Sequence, residues 1–412
     1  MVFRGFIRSA VASLALVGAP ACARSADLFS RNTISGVGVA GPIVASGERS
    51  WLNRGLGKLR EGRGDAAFVG DATLAWRPRF SERLGGLMTV QAQSRADPGV
   101  GVGEAYFVLR PGATDAVRLS GRAGLFFPPI SLEHDGSEWS LVHTLTPSAI
   151  NSWVAEEVKT VGVEGKVRGR LAGRDVALTL AAFKGNDTSG ALLTFRGWAQ
   201  HNLRSSLDGH FPLPPVAALF GGGQAPDSAS IDEVDGRWGA YGRIDVDAAS
   251  DLRLSAFVYD NNGEPTAIRN GQYAWRTQFI QLAAQWRGAS GLEVLGQAIN
   301  GRTAMGPLNG GVRPARVGYV SAFVLVTKPV RSAAITGRLD YFAVSDRTFK
   351  SVDNNAERGW SATAAWRQPV AERAALLFEG LAIQSYRPAR RLLGDDGSQT
   401  EVQFRSAVKV EF

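Results

Sequence analysis

The strongest constraint on how this chain folds is a two-residue alternation of side-chain character that recurs along its 412 residues. The clearest example is the segment 402–412. One face of an extended strand there carries Val402, Phe404, Ser406, Val408, Val410 and Phe412, and the other carries Gln403, Arg405, Ala407, Lys409 and Glu411. A soluble β-sandwich would bury the apolar face, whereas a membrane barrel would turn it to lipid and turn the polar face to a lumen. One segment does not separate these two structures.

Similar alternation recurs in earlier segments of roughly transmembrane-strand length. They are 68–76, 88–93, 105–110, 117–125, 161–170, 176–183, 238–246, 252–259, 280–286, 292–299, 317–327, 335–342, 360–366 and 376–383. A Gly-rich alternation at 34–39 brings the total to about 16, an even count as in single-chain bacterial barrels. After residue 26 no run of apolar residues is long enough for a transmembrane helix. The sequence therefore predicts an all-β fold, a transmembrane antiparallel β-barrel of about 16 strands.

The connections between these segments alternate between short and long. Short ones are 78–82, 111–115, 172–174, 248–250, 288–291, 329–331 and 369–372, and long ones are 128–157, 185–235, 261–273, 303–315, 346–357 and 387–400. Short periplasmic turns opposite long extracellular loops are typical of bacterial outer-membrane barrels. In this phase the strand that ends at Phe412 ends in the periplasm.

Residues 1–26 are interpreted as a secretory signal outside the barrel domain, 27–412. Arg4 and Arg8 precede a short apolar stretch, and small-x-small sites end at residues 23 and 26, so cleavage after either residue fits. The alternatives are a buried N-terminal helix and acylation of Cys22 as in a lipoprotein. Cys22 is the only cysteine, so a cleaved chain would have no disulfide, no thiol catalyst and no Cys-ligated metal.

The positive net charge of the chain invites a nucleic-acid interpretation. The sequence has 46 Lys and Arg against 38 Asp and Glu, and omitting Arg4, Arg8 and Arg24 leaves a formal net charge of +5. The basic residues are scattered at alternate positions of strand-like segments and form no Lys/Arg-rich run. We therefore expect no nucleic-acid partner, and we expect these residues to line a surface.

Three segments resemble known families. The terminal Phe412 after Val408 and Val410 resembles the recognition strand of bacterial outer-membrane barrels, which their assembly machinery reads. Residues 124–129 (GLFFPP) with 131–133 (SLE), and residues 146–153 (TPSAINSW) with 156–160 (EEVKT), resemble outer-membrane porins related to the phosphate-selective porin family. The resemblance implies a 16-stranded homotrimeric pore in outer-membrane lipid, with the barrel-assembly machinery as a partner. The phosphate ligands of that family have no counterpart in any motif of this chain.

The alternation assigns a lumen face to each strand, and these faces are rich in charge. The basic candidates are Arg118, Arg122, Lys166, Arg168, Arg170, Arg237, Arg243, Arg253, Arg338, Arg405 and Lys409. Acidic residues on the same faces are Asp71, Glu104, Glu164, Asp245, Glu293, Asp340 and Glu379. A cationic lumen would attract small anionic or polar solutes, because guanidinium groups bind phosphate and carboxylate through paired donors. A network of Arg–acid pairs that only satisfies the polar wall is the equal alternative.

The connection 128–157 is the best candidate for a pore constriction, since long porin loops can fold into the lumen. Its candidate residues are Glu133, His134, Asp135, Glu138 and His143. Trp153 is expected to anchor this connection on the barrel wall. Acids that face the pore would oppose a preference for anions. The connection 185–235 could constrict the pore instead, and within it 192–198 either extends the barrel or folds inside.

Histidines raise the alternative of a barrel enzyme. All four, His134, His143, His201 and His210, lie in these two connections. The chain has neither a nucleophile-elbow motif nor a zincin spacing, so we expect no catalysis, no metal and no cofactor. The sequence thus predicts an outer-membrane porin for passive diffusion of small hydrophilic solutes. A barrel enzyme and a structural or adhesion barrel are the alternatives.

Overall fold

The computed structural model describes residues 27–112, 117–215, 224–348 and 353–412 of the chain. The predicted signal lies outside the described residues. In chain order the strands are β1 (Ile34–Ser46), β2 (Ala66–Trp76), β3 (Leu84–Gln93), β4 (Val100–Leu109), β5 (Arg118–Phe126), β6 (Thr160–Leu171), β7 (Arg174–Lys184), β8 (Phe211–Pro212), β9 (Asp227–Ser228), β10 (Gly239–Asp247), β11 (Leu252–Asp260), β12 (Ile268–Arg269), β13 (Gln272–Tyr273), β14 (Arg276–Arg287), β15 (Glu293–Met305), β16 (Ala315–Val330), β17 (Ala333–Asp346), β18 (Glu357–Ala371), β19 (Ala374–Tyr386) and β20 (Ser398–Glu411).

Sixteen of these strands close an antiparallel barrel, and the short pairs β8–β9 and β12–β13 lie in connections. The first strand, β1, pairs with β20 to complete the wall. Beyond β20, Phe412 exchanges backbone hydrogen bonds with Gly36 at 3.0 and 3.1 Å. Closure of the sheet removes the unpaired edges that an open sheet would expose. The predicted all-β barrel of about 16 strands is confirmed.

The two faces of each strand meet different surroundings. In β20, Phe404 is 65% exposed and Val408 44% exposed, whereas Arg405 and Lys409 on the other face are 4% and 7% exposed. The strand therefore turns its apolar face outward and its polar face to the lumen, which is the reverse of a soluble sandwich. An outer wall covered with exposed apolar side chains is the surface that a bilayer requires.

The helices of the described chain are short and lie in the connections. They are Trp51–Asn53, Ser137–Trp139, Ala149–Val154, Ser189–Ala191, Leu192–Arg196 and Pro388–Leu393. In the part of the chain that the structure describes, none of the helices has both the length and the apolar character to span a membrane.

The connections distinguish the two ends of the barrel. At one end, which we call the turn end, residues such as 172–173, 331–332 and 372–373 join neighbouring strands. At the other, the loop end, the connections include 47–65, 127–159 and 185–238. The strands β16 and β18 are longer than the alternation predicts, since they extend into the segments 329–331 and 369–372, which were predicted as turns.

Three connections from the loop end fold into the lumen rather than standing above the barrel. Each forms a hydrogen bond to the wall. Arg60 donates to the Asp71 carboxylate, the Leu145 N–H donates to Glu379, and the Trp198 indole N–H donates to the Ala343 carbonyl. We call 47–65, 127–159 and the described residues of 185–238, which leave out 216–223, the inward connections. The sequence predicts one or another constricting connection, whereas the structure brings three into the lumen.

An apolar core fills part of the lumen. Trp153, on the helix Ala149–Val154, packs edge-on against Trp198 at 5.9 Å and Tyr319 at 5.1 Å between ring centroids. Phe279 of β14 lies against the same indole. A barrel of 16 strands is wide enough to admit folded segments, and their aromatic side chains leave water by packing on the wall. The segment 192–198 folds inside, which is one of its two expected positions, and Trp153 contacts the wall as expected.

Candidate pore lining

One sector of the lumen wall is left uncovered by the inward connections. It comprises the turn-end halves of β5, β6, β10 and β11, where lumen-facing side chains are exposed or half-buried. On β7, between β6 and β10, the small lumen-facing side chains of Ala177 and Thr179 are buried. In β16 to β20, by contrast, the lumen-facing side chains between the strand ends are buried. A solute entering the lumen from the turn end would therefore first meet the β5–β11 side.

This uncovered sector carries three unmatched basic residues. Arg118 of β5 lies directly opposite Arg168 of β6, and Ser120 lies opposite Lys166. Within the described residues, none of the three basic side chains forms an ion pair with a carboxylate. Like charges opposite each other weaken strand pairing, so the stability of the wall does not explain this arrangement. We call Arg118, Lys166 and Arg168 the basic wall.

Other predicted basic residues of this sector are matched by acids. The pairs are Arg122–Glu164 at 2.9 Å, Arg243–Asp245 at 2.6 Å and Arg253–Asp247 at 2.7 Å. Tyr241 adds a hydrogen bond of 2.5 Å to the Glu164 carboxylate. The lumen thus combines both arrangements considered from the sequence, a network of Arg–acid pairs and a group of unmatched cations.

The remaining basic candidates lie elsewhere. Arg338, Arg405 and Lys409 face the lumen but are buried under the inward connections. Arg170 lies at the turn end of β6, 3.6 Å from Asp175. Arg237 is a correction, because it lies in the connection before β10 and pairs with Glu264 at 2.6 Å. The alternation of side chains continues from β10 back into this connection. Alternation alone therefore predicted that Arg237 lies on the lumen wall, although β10 begins only at Gly239.

The predicted lumen acids lie beside basic groups or backbone donors. Asp71 pairs with Arg60 and Arg405, Glu164 with Arg122, Asp245 with Arg243, Glu293 with His143 and Arg287, and Asp340 with Arg338. Glu104 accepts the Phe127 N–H at 3.2 Å, and Glu379 accepts the Leu145 N–H at 2.6 Å. Glu164 and Asp245 thus bind side chains of the wall, and the other five acids contact the inward connections.

The acids of the connection 127–159 are also neutralised. Glu133 is buried, pairs with Arg338 at 2.9 Å and accepts the Ser148 N–H at 3.0 Å. Ser148 in turn caps the helix Ala149–Val154, since its hydroxyl accepts the Asn151 N–H. Asp135 differs, because it is exposed and lies 3.9 Å from Arg287. Only this acid of the predicted constriction set is open to solvent.

The same connection crosses the lumen to the turn end. The Glu138 carboxylate accepts hydrogen bonds from Arg77 at 2.6 Å and from the Ser35 hydroxyl at 2.7 Å, where β1 begins and β2 has just ended. His143 lies 3.2 Å from Glu293 at the turn end of β15. The connection therefore covers the full depth of one side of the lumen, which the sequence did not predict.

The connection 185–238 adds a buried charge cluster above the helix Ala149–Val154. Arg196 and His201 both contact the Glu157 carboxylate, at 2.5 and 2.9 Å. Burial alone would raise the pKa of Glu157, but the two basic neighbours outweigh it and hold that pKa below its usual range. Burial lowers the pKa of His201, although Glu157 opposes that effect.

Sequence reasoning missed the inward connection 47–65. It carries Glu48, Lys58 and Arg60, which pair with Arg390, Glu357 and Asp71. All of these side chains are buried. The signal that could have found it is the high density of charged residues in 47–65, between the first two strand segments. Charges at this density can pair with the opposite charges predicted on the lumen face.

A serine, a histidine and a glutamate in the connection 127–159 form a chain of hydrogen bonds. The Ser131 hydroxyl lies 2.8 Å from His134 Nδ1, and His134 Nε2 lies 2.9 Å from Glu156. The same hydroxyl accepts the Glu133 N–H at 3.0 Å, as in a local turn. His134 and Glu156 border a void of about 50 Å³, which suits one or two waters and is too small for a lipid or peptide.

Three acids come together at the loop end. Ligand oxygens of Asp187, Glu233 and Asp235 lie within 4.8 Å of one another. Each also accepts backbone N–H groups, as Asp187 does from Val234 at 2.7 Å. A cluster of acids satisfied by the backbone does not by itself define a metal site, and we assign no ion to it.

Comparison with known proteins identifies the fold. No family model and no curated relative matches the chain. The outer membrane channel DcaP of Acinetobacter baumannii matches with a TM-score of 0.53 at 12% identity, over 94% of this chain and 100% of that chain. A loop L8 deletion mutant of OmpT, an outer membrane protein of Vibrio cholerae, matches with a TM-score of 0.52 at 9% identity, over 92% and 99%. At these identities the likeness shows the fold alone, which is that of outer-membrane β-barrels.

Proposed function

We propose that this protein is an outer-membrane porin, a passive diffusion channel for small hydrophilic solutes. The observation that carries the proposal is a closed barrel with an apolar outer wall whose lumen keeps one uncovered, charged sector. Outer-membrane barrels have their short turns in the periplasm and their long loops outside the cell. We therefore place the turn end in the periplasm and the loop end outside. The inward connections cover the path toward the loop end, so we expect a small unitary conductance. Diffusion needs no cofactor and no energy coupling.

We further propose that the channel prefers anions that carry phosphate or carboxylate groups. The support is the basic wall, whose side chains form no ion pair in the described chain, together with the neutralisation of Glu133 and Glu138 by arginines. Asp245 and Asp247 lie near Lys166 and Arg168, but each of these acids is already paired with another arginine. Unmatched cations in a narrow lumen between low-dielectric walls raise the local concentration of anions. Guanidinium groups of Arg118 and Arg168 offer paired donors to such solutes.

Planar-bilayer recording in a salt gradient tests both parts. The wild-type barrel is expected to give stable ohmic steps with a reversal potential on the anion-selective side. The double variant R118Q/R168Q should lower the anion-to-cation permeability ratio by roughly threefold, because two unmatched charges leave the path.

The matched control is R331Q/R373Q, which removes two exposed charges from the turns between neighbouring strands. We expect it to leave the reversal potential unchanged. Absence of conductance from a folded barrel would overturn the porin proposal. An equal reversal potential in wild type and R118Q/R168Q would overturn anion preference and favour a wall of paired charges.

Three finer proposals come from the sequence: the trimer from the resemblance to porins related to the phosphate-selective family, the signal from residues 1–26, and the assembly signal from the terminal strand. We propose a homotrimer, delivered by an N-terminal signal that is cleaved and folded into the outer membrane by the barrel-assembly machinery through the strand that ends at Phe412. The exposed ring of Phe412 at the turn end supports an accessible assembly signal. Chemical cross-linking in outer-membrane fractions should give a trimer band.

The second candidate function is hydrolysis at Ser131, favoured by its chain of hydrogen bonds to His134 and Glu156. A fluorophosphonate probe would label an activated serine, and the S131A variant is the control. Because the adjoining void is small and the hydroxyl also accepts a backbone N–H, we expect no labelling of the wild-type barrel. Labelling that S131A abolishes would establish the enzyme instead.

A further inference from the structure

A cluster of arginines stands on the outer wall at the loop end, away from the lumen. Arg302 of β15 and Arg316 of β16 point outward, and Arg347 follows β17 directly. All three are exposed. Gly318 lies opposite both Arg302 and Ser345, and the Arg347 N–H donates to the Arg316 carbonyl at 2.9 Å, so the three residues occupy adjacent strands. We call Arg302, Arg316 and Arg347 the arginine patch.

The charges of the arginine patch are unmatched. In the described part of the chain none of the three forms an ion pair, and Arg302 donates only to the Gln278 side chain, at 2.8 Å. The acid next to Arg347 in sequence, Asp346, accepts the backbone N–H groups of Thr348 and Asn355. Of the unpaired basic groups in the described chain, this one faces outward rather than into the lumen, and three guanidinium groups without carboxylate partners favour an external anion.

A polar hollow lies between these side chains. Its volume is about 460 Å³, and its lining includes the arginine patch with Gln278, Asn300 and Gly318. Gly318 forms part of the floor of the hollow and has no side chain to fill it. A Cβ at this position would crowd the Ser345 hydroxyl, at 2.9 Å. Planar guanidinium groups around a polar hollow offer forked donors, which match the oxygens of a phosphate group.

The position of the patch along the wall indicates the source of that phosphate. Tyr341 of β17 and Trp360 of β18 are opposite each other and about half exposed on the outer surface. Such aromatic side chains mark the interface between acyl chains and headgroups in barrels. Ser345, level with Gly318, is four residues further toward the loop end, or about 13 Å along the strand. The arginine patch thus lies at headgroup level, beyond the aromatic side chains.

We propose that the arginine patch binds the phosphate groups of an anionic lipid in the extracellular leaflet. A membrane-facing cluster of unmatched arginines attracts such headgroups electrostatically. The lipid would lie with its acyl chains on the apolar outer wall below Tyr341 and Trp360. This site rests on the proposed outer-membrane location and orientation of the barrel, and it is independent of the proposed conduction of solutes.

Native mass spectrometry and a titration of the detergent-purified barrel with diphosphorylated lipid A test the proposal. Wild type should retain the lipid, and R302Q/R316Q/R347Q should bind it at least tenfold more weakly. The lysine variant R302K/R316K/R347K keeps the charges and should lose less affinity than the glutamine variant. Equal binding by wild type and the glutamine variant would overturn the proposal.

Two further arms separate this site from its alternatives. R174Q/R331Q/R373Q removes the same charge from exposed positions at the turn end and should bind lipid A as wild type does. Inorganic phosphate at 10 mM should leave lipid binding unchanged, whereas full displacement would make this a site for the free anion and overturn the lipid assignment. Conductance of R302Q/R316Q/R347Q in bilayers should match wild type, so a failure here is distinct from a failure of the porin proposal.

Discussion

Buried arginines provide much of the contact between the inward connections and the wall. Arg338 is fully buried and pairs with Asp340 on its own strand and with Glu133 of the connection 127–159. It also donates to the carbonyls of Thr146 and Pro147. A guanidinium group suits this position because its five donors diverge in one plane and reach several acceptors at once. Its lumen-facing phase was predicted from the sequence, whereas its partners in the connection 127–159, more than 190 residues away, were not.

Arg338→Ala should therefore detach this connection from the wall. It leaves the carboxylates of Glu133 and Asp340 buried without a counter-charge, at a cost of about 3–5 kcal/mol. The measurement is urea unfolding followed by the heat-modifiable mobility of the barrel in gels. The control is Arg253→Ala, whose ion pair with Asp247 is partly exposed and is expected to contribute about 1 kcal/mol or less. Equal losses for the two variants would contradict this role of Arg338.

Strands and connections differ in how far the sequence could predict them. Each barrel strand separates lipid from lumen, so its side chains must alternate, and the pattern is visible without knowing any partner. The inward connections have no such period. The helix Ala149–Val154 is too short for a helical pattern, and Trp153 meets Trp198 only once both connections have folded inside. The same limit applies to Arg237, where alternation continued beyond the end of the strand.

The stability of the connection 185–238 should depend on pH through Asp187. Burial, with added repulsion from Glu233 and Asp235, raises the pKa of Asp187 to about 7. The folded connection then holds a proton between about pH 4 and 7 that the unfolded chain releases, so its stability falls as pH rises through this range. Limited proteolysis of the connection should be roughly tenfold faster at pH 8 than at pH 5.

The variant Asp187→Asn is the control for this dependence. It keeps the shape of the side chain and cannot ionise, so its proteolysis should change little between pH 5 and pH 8 after correction for protease activity. A wild-type rate that is the same at both pH values would show that Asp187 does not control the connection.

At the scale of the whole molecule, the outer wall and the lumen each divide into two regions of different character. The outer wall is apolar along its strands and basic at the loop end, in the arginine patch. The lumen is covered on the side of β16 to β20 and open beside the basic wall. The barrel itself follows from the sequence pattern. Which side of the lumen is covered depends on where the inward connections pack, and no local sequence pattern encodes that position.

The seam between β1 and β20 has a consequence for biogenesis. The other neighbours in the wall follow one another along the chain, whereas this pair joins its two most distant strands, and Phe412 lies over Gly36, where a Cβ would come within 2.5 Å of the ring. Until β20 arrives, the sheet keeps two hydrogen-bonding edges and cannot form a sealed wall. A nascent chain that lacks this strand would stay an open sheet exposed to chaperones and proteases. Release from that exposed state therefore depends on the last strand of the chain, since only a chain that has delivered β20 can close the barrel.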